Sequence, residues 1–213
     1  AAGQGGGYEI DQSIRFNDND AAYLSKTLGT GTGGGNTETF SCWVKRGNLT
    51  GANMWFLSAG ASGSADILGF TSSNTLQFTA DAGSPSITTT AVFRDPSAWY
   101  HIVLTIDTSL AASSRWKLYV NGVEQSVTVG GTPSTSRLGT AVIHNIGRYP
   151  TGSSYLDGYM AEINFIDGQA LAPTSFGETN DDGVWIPKAY AGSYGDNGFY
   201  ITGATAGDLG EDF

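Results

Sequence analysis

Cysteine is nearly missing from this 213-residue chain, in which Cys42 is the single example. An intrachain disulfide and a cysteine-based zinc site are therefore excluded, and stability has to come from a packed core. A domain of this length buries roughly 70% of its unfolded-chain surface, so staples are not needed. Charge is scarce too, at 14% of residues, and cations are the scarcer kind: 10 Lys and Arg against 20 Asp and Glu, a net charge of −10. That average field repels a nucleic-acid duplex, and no basic patch relieves it, because Lys45–Arg46 and Arg115 with Lys117 stand apart. Nucleic acid is not an expected partner. No apolar run reaches the ~20 residues of a membrane-spanning helix, so no membrane insertion is expected.

What the chain has in quantity is glycine, 31 residues, together with Ser, Thr and Asn, and 12% aromatics spread along its length. That mixture suits many short strands joined by tight turns and disfavours long helices. Alternation supports it. In TETFSCWVKR, Phe40, Cys42 and Val44 share one side while Ser41, Trp43 and Lys45 share the other. Cys42 on the apolar side reads as a buried, unreactive thiol. In WYHIVLTID, Ile102, Leu104 and Ile106 oppose Trp99, His101, Val103 and Thr105. Asn121-Gly122 in RWKLYVNGVEQSVTV supplies the two positive-φ positions of a type I′ hairpin turn. YEIDQSIRF and AAYLSKTL are expected as short strands, as are NMWFLSAG, ADILGFTSS, TLQFTAD, SITTTAVF, HNIGRYP and YMAEINFID. APTSFGE is expected to make one helical turn, started by Pro173 and stopped by Gly177. GTGTGGGNT is expected to be a polar loop with nothing to pack. The expected organisation is a flexible lead-in over 1–7, one antiparallel β-sandwich over 8–177 and an extension over 178–213, with VWIPKAY and NGFYITG as short strands or packed loops.

Catalytic constellations are mostly missing. Glycosidase chemistry on a β-sandwich needs two facing carboxylates spaced along one strand. Glu9 and Asp11 begin that spacing, but positions 13 and 14 are Ser13 and Ile14. Gly60-Ala61-Ser62-Gly63-Ser64 misses the spacing of a nucleophile elbow. His101 and His144 sit in strand patterns and read as satisfied core histidines. The chain is therefore expected not to be an enzyme. Two binding readings remain. Aromatic rings beside hydrogen-bonding side chains suit carbohydrate, and Arg148, Tyr149, Tyr155 and Asp157 form the expected ligand-facing rim, with Trp55 beside Asn53 as a further pairing. Hard oxygen ligands suit calcium, and Asp18 and Asp20 are the candidate ligands of a structural ion.

Trp99 opening a long strand, the LYVNG hairpin, and then NIGRYPTGSSYLDGYMAEINFIDGQAL together resemble the laminin-G-like branch of the concanavalin A-like lectin/glucanase jelly rolls. The resemblance implies an all-β antiparallel sandwich of jelly-roll type with a short C-terminal extension, and relatives of this fold often carry a structural calcium near the N-terminal strand. The stretches FNDNDAAYLSKT, TFSCWVKRGNL, FRDPSAWYHIVLTIDT, LDGYMAEINFIDGQALAPTSFGE and GVWIPKAYAGSYGDNGFYI further resemble tail-fibre or virion-associated proteins of marine tailed bacteriophages. That resemblance implies a virion module assembled in a host cytoplasm, binding host-surface glycan and other virion proteins, as a homo-oligomer such as a trimer. A purely structural virion or decoration protein is the alternative it leaves open, with a glycoside hydrolase as the more remote one. The missing initiator Met and the ending GDLGEDF lead to the expectation that the chain is a piece of a larger protein.

Overall fold

The computed structural model describes residues 7–81 and 83–203. Two seven-stranded antiparallel sheets make up the body. The first runs β1 (Ile14–Phe16), β13 (Gly158–Asp167), β3 (Thr37–Arg46), β8 (Tyr100–Asp107), β9 (Trp116–Val120) and β10 (Val123–Glu124), with β16 (Phe199–Ile201) also pairing with β13. The second runs β11 (Val127–Gly130), β7 (Ser86–Val92), β6 (Thr75–Thr79), β5 (Asp66–Phe70), β4 (Met54–Ala59), β12 (Ile143–Ile146) and β2 (Leu24–Thr27). A small hairpin, β14 (Gly177–Thr179) with β15 (Trp185–Pro187), stands apart from both sheets.

The inner faces meet in one apolar core. Phe40, Cys42 and Val44 of β3 and Ile102, Leu104 and Ile106 of β8 point into it, as their alternation requires. Phe56, Leu68, Phe70, Leu76 and Phe78 meet them from the other sheet. Contacts between layers are specific: Phe40 stacks on Phe56 with ring centres 6.5 Å apart, and Phe78 meets Trp116 edge-on at 4.8 Å. The NG hairpin forms as expected, with Asn121 at φ 48° and Gly122 at φ 79°. Beyond it the chain changes layers, since β10 pairs with β9 while β11 pairs with β7 in the opposite sheet.

The outer face of the first sheet is not left to water. Val103, Ile166 and Phe176 form a second apolar cluster with Leu171, Tyr119, Tyr190 and Tyr194 packed against it. Here residues C-terminal to β13 fold back over β3, β8 and β13. Their course begins with a 3-10 turn at Pro173–Ser175, where proline occupies the first turn, and ends in β16. Phe199 and Ile201 reach the main core, packing beside Phe165.

Three expectations need correction. YEIDQSIRF yields only β1, and residues 7–13 have no strand pairing; AAYLSKTL yields only β2. Both are sheet-edge elements, where pairing on a single side stops as soon as the chain turns, here at the Asn17–Asp20 turn. The glycine loop before β3 does have something to pack: it closes around two buried carboxylates, Glu38 and Asp167. Asp167 Oδ2 accepts from the backbone N–H of Thr32 at 2.9 Å and of Asn197 at 3.1 Å, and Oδ1 accepts from that of Gly33. A Cβ at Gly33 would collide with both carboxylates, so the close backbone approach requires glycine there. The lead-in expected over 1–7 lies outside the described residues except Gly7, as do 204–213 of the extension.

Candidate functional site

On that outer face, beside the folded-back segment, lies a cleft of about 300 Å³, the small end of the range typical of small-molecule sites. Residues 10–13 form one wall, Trp43 and Ala161 the floor, and Trp99 and Pro187 the far side. Trp43 comes from β3 and Ala161 from the strand paired with it, where the two are cross-strand partners. Trp99 immediately precedes β8 and keeps 36% of its surface exposed. Asp11, Gln12 and Ser13 supply polar side chains along the rim.

The floor is braced from the side. Trp43 stacks on His101 with ring centres 5.0 Å apart, and His101 stacks on Trp185 of β15 at 5.9 Å. Trp185 Nε1 donates to His101 Nδ1 at 3.0 Å, which leaves Nε2 to donate to Ser41 Oγ at 2.9 Å. Burial pushes His101 down to about 3, so the imidazole is neutral at any physiological pH. Gly122 admits the Trp185 ring, since its hypothetical Cβ would stand 2.6 Å from that ring and its φ of 79° is left-handed. The indole floor is thus held in one orientation before any ligand arrives.

Next to the cleft, β13 bulges at Glu162, which adopts φ 49° while its neighbours Ala161 and Asn164 pair with Trp43 and Ser41. The Glu162 carboxylate accepts from Tyr200 Oη at 2.7 Å and from Tyr8 Oη at 3.0 Å. Burial, above all, raises both phenols, with Glu162 adding to the effect. They are hydrogen-bond donors and poor nucleophiles. Glu9 and Asp11 lie in the unpaired 7–13 segment, so no strand frame sets these two carboxylates along one groove.

The rim expected from sequence divides. Arg148, Tyr149 and Tyr155 gather around the Tyr149–Ser153 turn, far from the cleft in topology, beside the second sheet. Arg148 is engaged: its guanidinium lies 3.4 Å over the Tyr23 ring, and Nε and Nη2 donate to Asn145 Oδ1 at 3.1 and 2.9 Å. Tyr149 packs against Trp55, Ala65 and Ile67 on the outer side of that sheet, while Asn53 accepts from the Ser72 amide. Asp157 turns away from the other three, pairing with Arg15 and accepting from Asn48. Asp18 and Asp20 form a 3-10 turn in which Asn17 Oδ1 takes the Asn19 amide at 3.2 Å and Asn17 also donates to Asp20. Those donors do not fit a calcium cage: the turn already uses Asp20, and among the described residues no three His, Cys, Asp or Glu gather to hold an ion.

A second hollow, about 240 Å³, lies at the other end of the same outer face among Thr105, Arg115, Lys117, Tyr119 and Leu171. Its polar groups have local partners. Arg115 donates to the Leu110 and Pro133 carbonyls, Lys117 pairs with Glu124 at 3.1 Å, and Asp107 accepts from Ser109. The first cleft is the better candidate. Alternation put Trp43 opposite Phe40, Cys42 and Val44 and Trp99 opposite Ile102, Leu104 and Ile106, but did not bring the two together; the signal was their shared parity along β3 and the segment leading into β8, which turn out to be neighbours.

A laminin-G-type family model described as the concanavalin A-like lectin/glucanases superfamily matches residues 16–175. Among solved structures, the chain is similar to a native heptameric SAP-like pentraxin from Limulus polyphemus: 14% identity, TM-score 0.51, 93% of each chain covered. It is also similar to the binding domain of botulinum neurotoxin serotype G, at 13% identity and TM-score 0.52, over 76% of this chain and 40% of that one. A Trypanosoma rangeli sialidase aligns at 18% identity and TM-score 0.47 over 66% of this chain, which spans 22% of the sialidase. No curated protein sequence matches the chain.

Proposed function

Because the chain belongs to the concanavalin A-like lectin/glucanases superfamily, we propose that it is a non-catalytic binding module whose Trp43–Trp99 cleft holds carbohydrate. The observation that carries this reading is the pairing of two indoles with Asp11, Gln12 and Ser13 around one opening. Indole faces match the C–H faces of a pyranose, and short polar side chains match its hydroxyls. Against catalysis stand a buried neutral histidine, phenols raised out of nucleophilic range, and the placing of Glu9 and Asp11 outside any strand.

The setting we propose is a bacteriophage virion, in a tail fibre or similar appendage, where the module meets glycan on a host surface beside other virion proteins. Sequence resemblance over most of the chain supports it, as does a disulfide-free composition that suits assembly in a reducing cytoplasm. A homo-oligomer fits the same setting. The direct test is titration of the chain against host-surface polysaccharides. Trp99→Ala is expected to weaken binding about tenfold or more with an unchanged circular dichroism spectrum, a typical loss for one stacking ring. Full affinity in that variant would remove the cleft from the site, and failure of the chain to bind any glycan would leave a structural virion role.

A further inference from the structure

We infer that the Trp43–Trp99 cleft takes sugars that carry no carboxylate or sulfate and discriminates against sialylated, uronic and sulfated glycans, an inference that rests on the carbohydrate reading above. The charge around the opening argues for it. Among the described residues that line the cleft, Asp11 is the ionisable side chain, and no Lys or Arg stands with it. Behind the Ala161 floor the next residue is Glu162, whose carboxylate is held by the Tyr8 and Tyr200 hydroxyls. Asp11 and Glu162 both add to the burial that raises the Tyr8 phenol, so the two carboxylates act on the same small region.

Two cations in the neighbourhood are turned to other partners, and Lys45, two residues along β3 from Trp43, is not among the lining residues. Arg15 pairs with Asp157 and lies 5.1 Å over the Tyr159 ring, and Lys188, next to the lining Pro187, comes within 3.9 Å of Glu178. Recognition of an anionic sugar calls for the planar fork of an arginine or an equivalent donor cluster. This cleft is the reverse: one carboxylate among its lining side chains, beside the exposed Trp99 and the largely buried Trp43, on a chain of net charge −10. His101 adds no charge beside Trp43. A sugar carboxylate roughly 5 Å from Asp11 meets a repulsion equivalent to about tenfold or more in affinity at the screening of a protein surface. A neutral pyranose meets none, and it keeps the stacking and the hydroxyl contacts.

The test uses the intact chain and matched glycan pairs that differ in charge with the sugar rings unchanged: sialyllactose against its carboxyl-amidated form, and a neutral polysaccharide against its sulfated form. Binding is measured by calorimetry at two ionic strengths. The neutral member of a pair is expected to bind at least tenfold tighter, with the gap narrowing at high salt. Asp11→Asn should narrow the gap at low salt and Asp11→Lys should close or reverse it, while Trp99→Ala weakens binding of the neutral member. Preference for the charged member, abolished by Trp99→Ala, would overturn the charge inference and leave the carbohydrate site standing. Binding of neither member in any pair would overturn both.

Discussion

Glu38 and the two histidines pull the pH dependence of stability in opposite directions. Burial, with the Asp167 carboxylate beside it, pushes Glu38 from the usual 4.5 up to about 8. Its Oε2 is buried without a hydrogen-bond partner, which is tolerable while a proton sits on the group. Between pH 4.5 and 8 the folded chain keeps a proton that the unfolded chain releases, so this contribution is fully present below that window and is lost as pH rises through it. Burial lowers His101 to about 3 and His144 to about 4 from the ordinary 6.5. The unfolded chain takes up those protons first, so the histidines' contribution is present above 6.5 and is lost as pH falls. With two groups against one, stability should climb toward pH 6.5 and then fall at roughly 1.4 kcal/mol per unit up to pH 8. Asp66, also raised by burial, makes the acid limb shallower. Urea midpoints measured from pH 5 to 9 should trace that maximum, and Glu38→Gln should flatten the alkaline limb. An unchanged alkaline limb in that variant would mean another group titrates there.

At the scale of elements, the β14–β15 hairpin acts as a clamp, placing one ring where the first sheet needs cover. Trp185 supplies both a face and a hydrogen bond to His101, and burial is the cause of that histidine's low value. Trp185→Ala should therefore let the His101 pKa climb from about 3 toward 6.5, read by NMR titration of its ring protons. A value still near 3 would assign the desolvation to the sheet alone. Much of the layering beneath this clamp was legible in the sequence. Strict alternation in TETFSCWVKR and WYHIVLTID forces one set of side chains inward, and Asn121-Gly122 fixes a hairpin whatever surrounds it. What covers the outward set was not legible, because parity assigns a side and says nothing of what lies on it. Trp43, His101 and Trp185 are 58 and 84 residues apart in successive steps along the chain, and only tertiary folding stacks them. The site suffered for the same reason. Arg148, Tyr149, Tyr155 and Asp157 are close in sequence, and sequence closeness was the criterion available; three gather at one turn while Asp157 serves Arg15.

For the whole molecule, the family match and the folded unit do not end together. The matched stretch stops at residue 175, before the hairpin and β16. Yet Phe199 and Ile201 are 4% and 2% exposed within the main core, and Asn197 donates its backbone N–H to the buried Asp167. Phe176 and Tyr190, stacked with ring centres 5.1 Å apart, help shield Val103 and Ile166. A chain ending at residue 176 would keep every matched position and still open the core along β13. Losing a buried Phe and a buried Ile costs about 5 kcal/mol or more in comparable cores, and each kcal/mol shifts the melting temperature of a domain this size by ~2–4 °C. The truncated chain should therefore melt at least ~10 °C below the full one and bind a hydrophobic dye through its bared sheet face. Calorimetry of the two chains decides it. A melting temperature within a few degrees would mean that the fold-back is an appendage on a self-sufficient sandwich, and that the Trp43 floor, which the extension braces through Trp185, could be detached from stability and varied for binding alone.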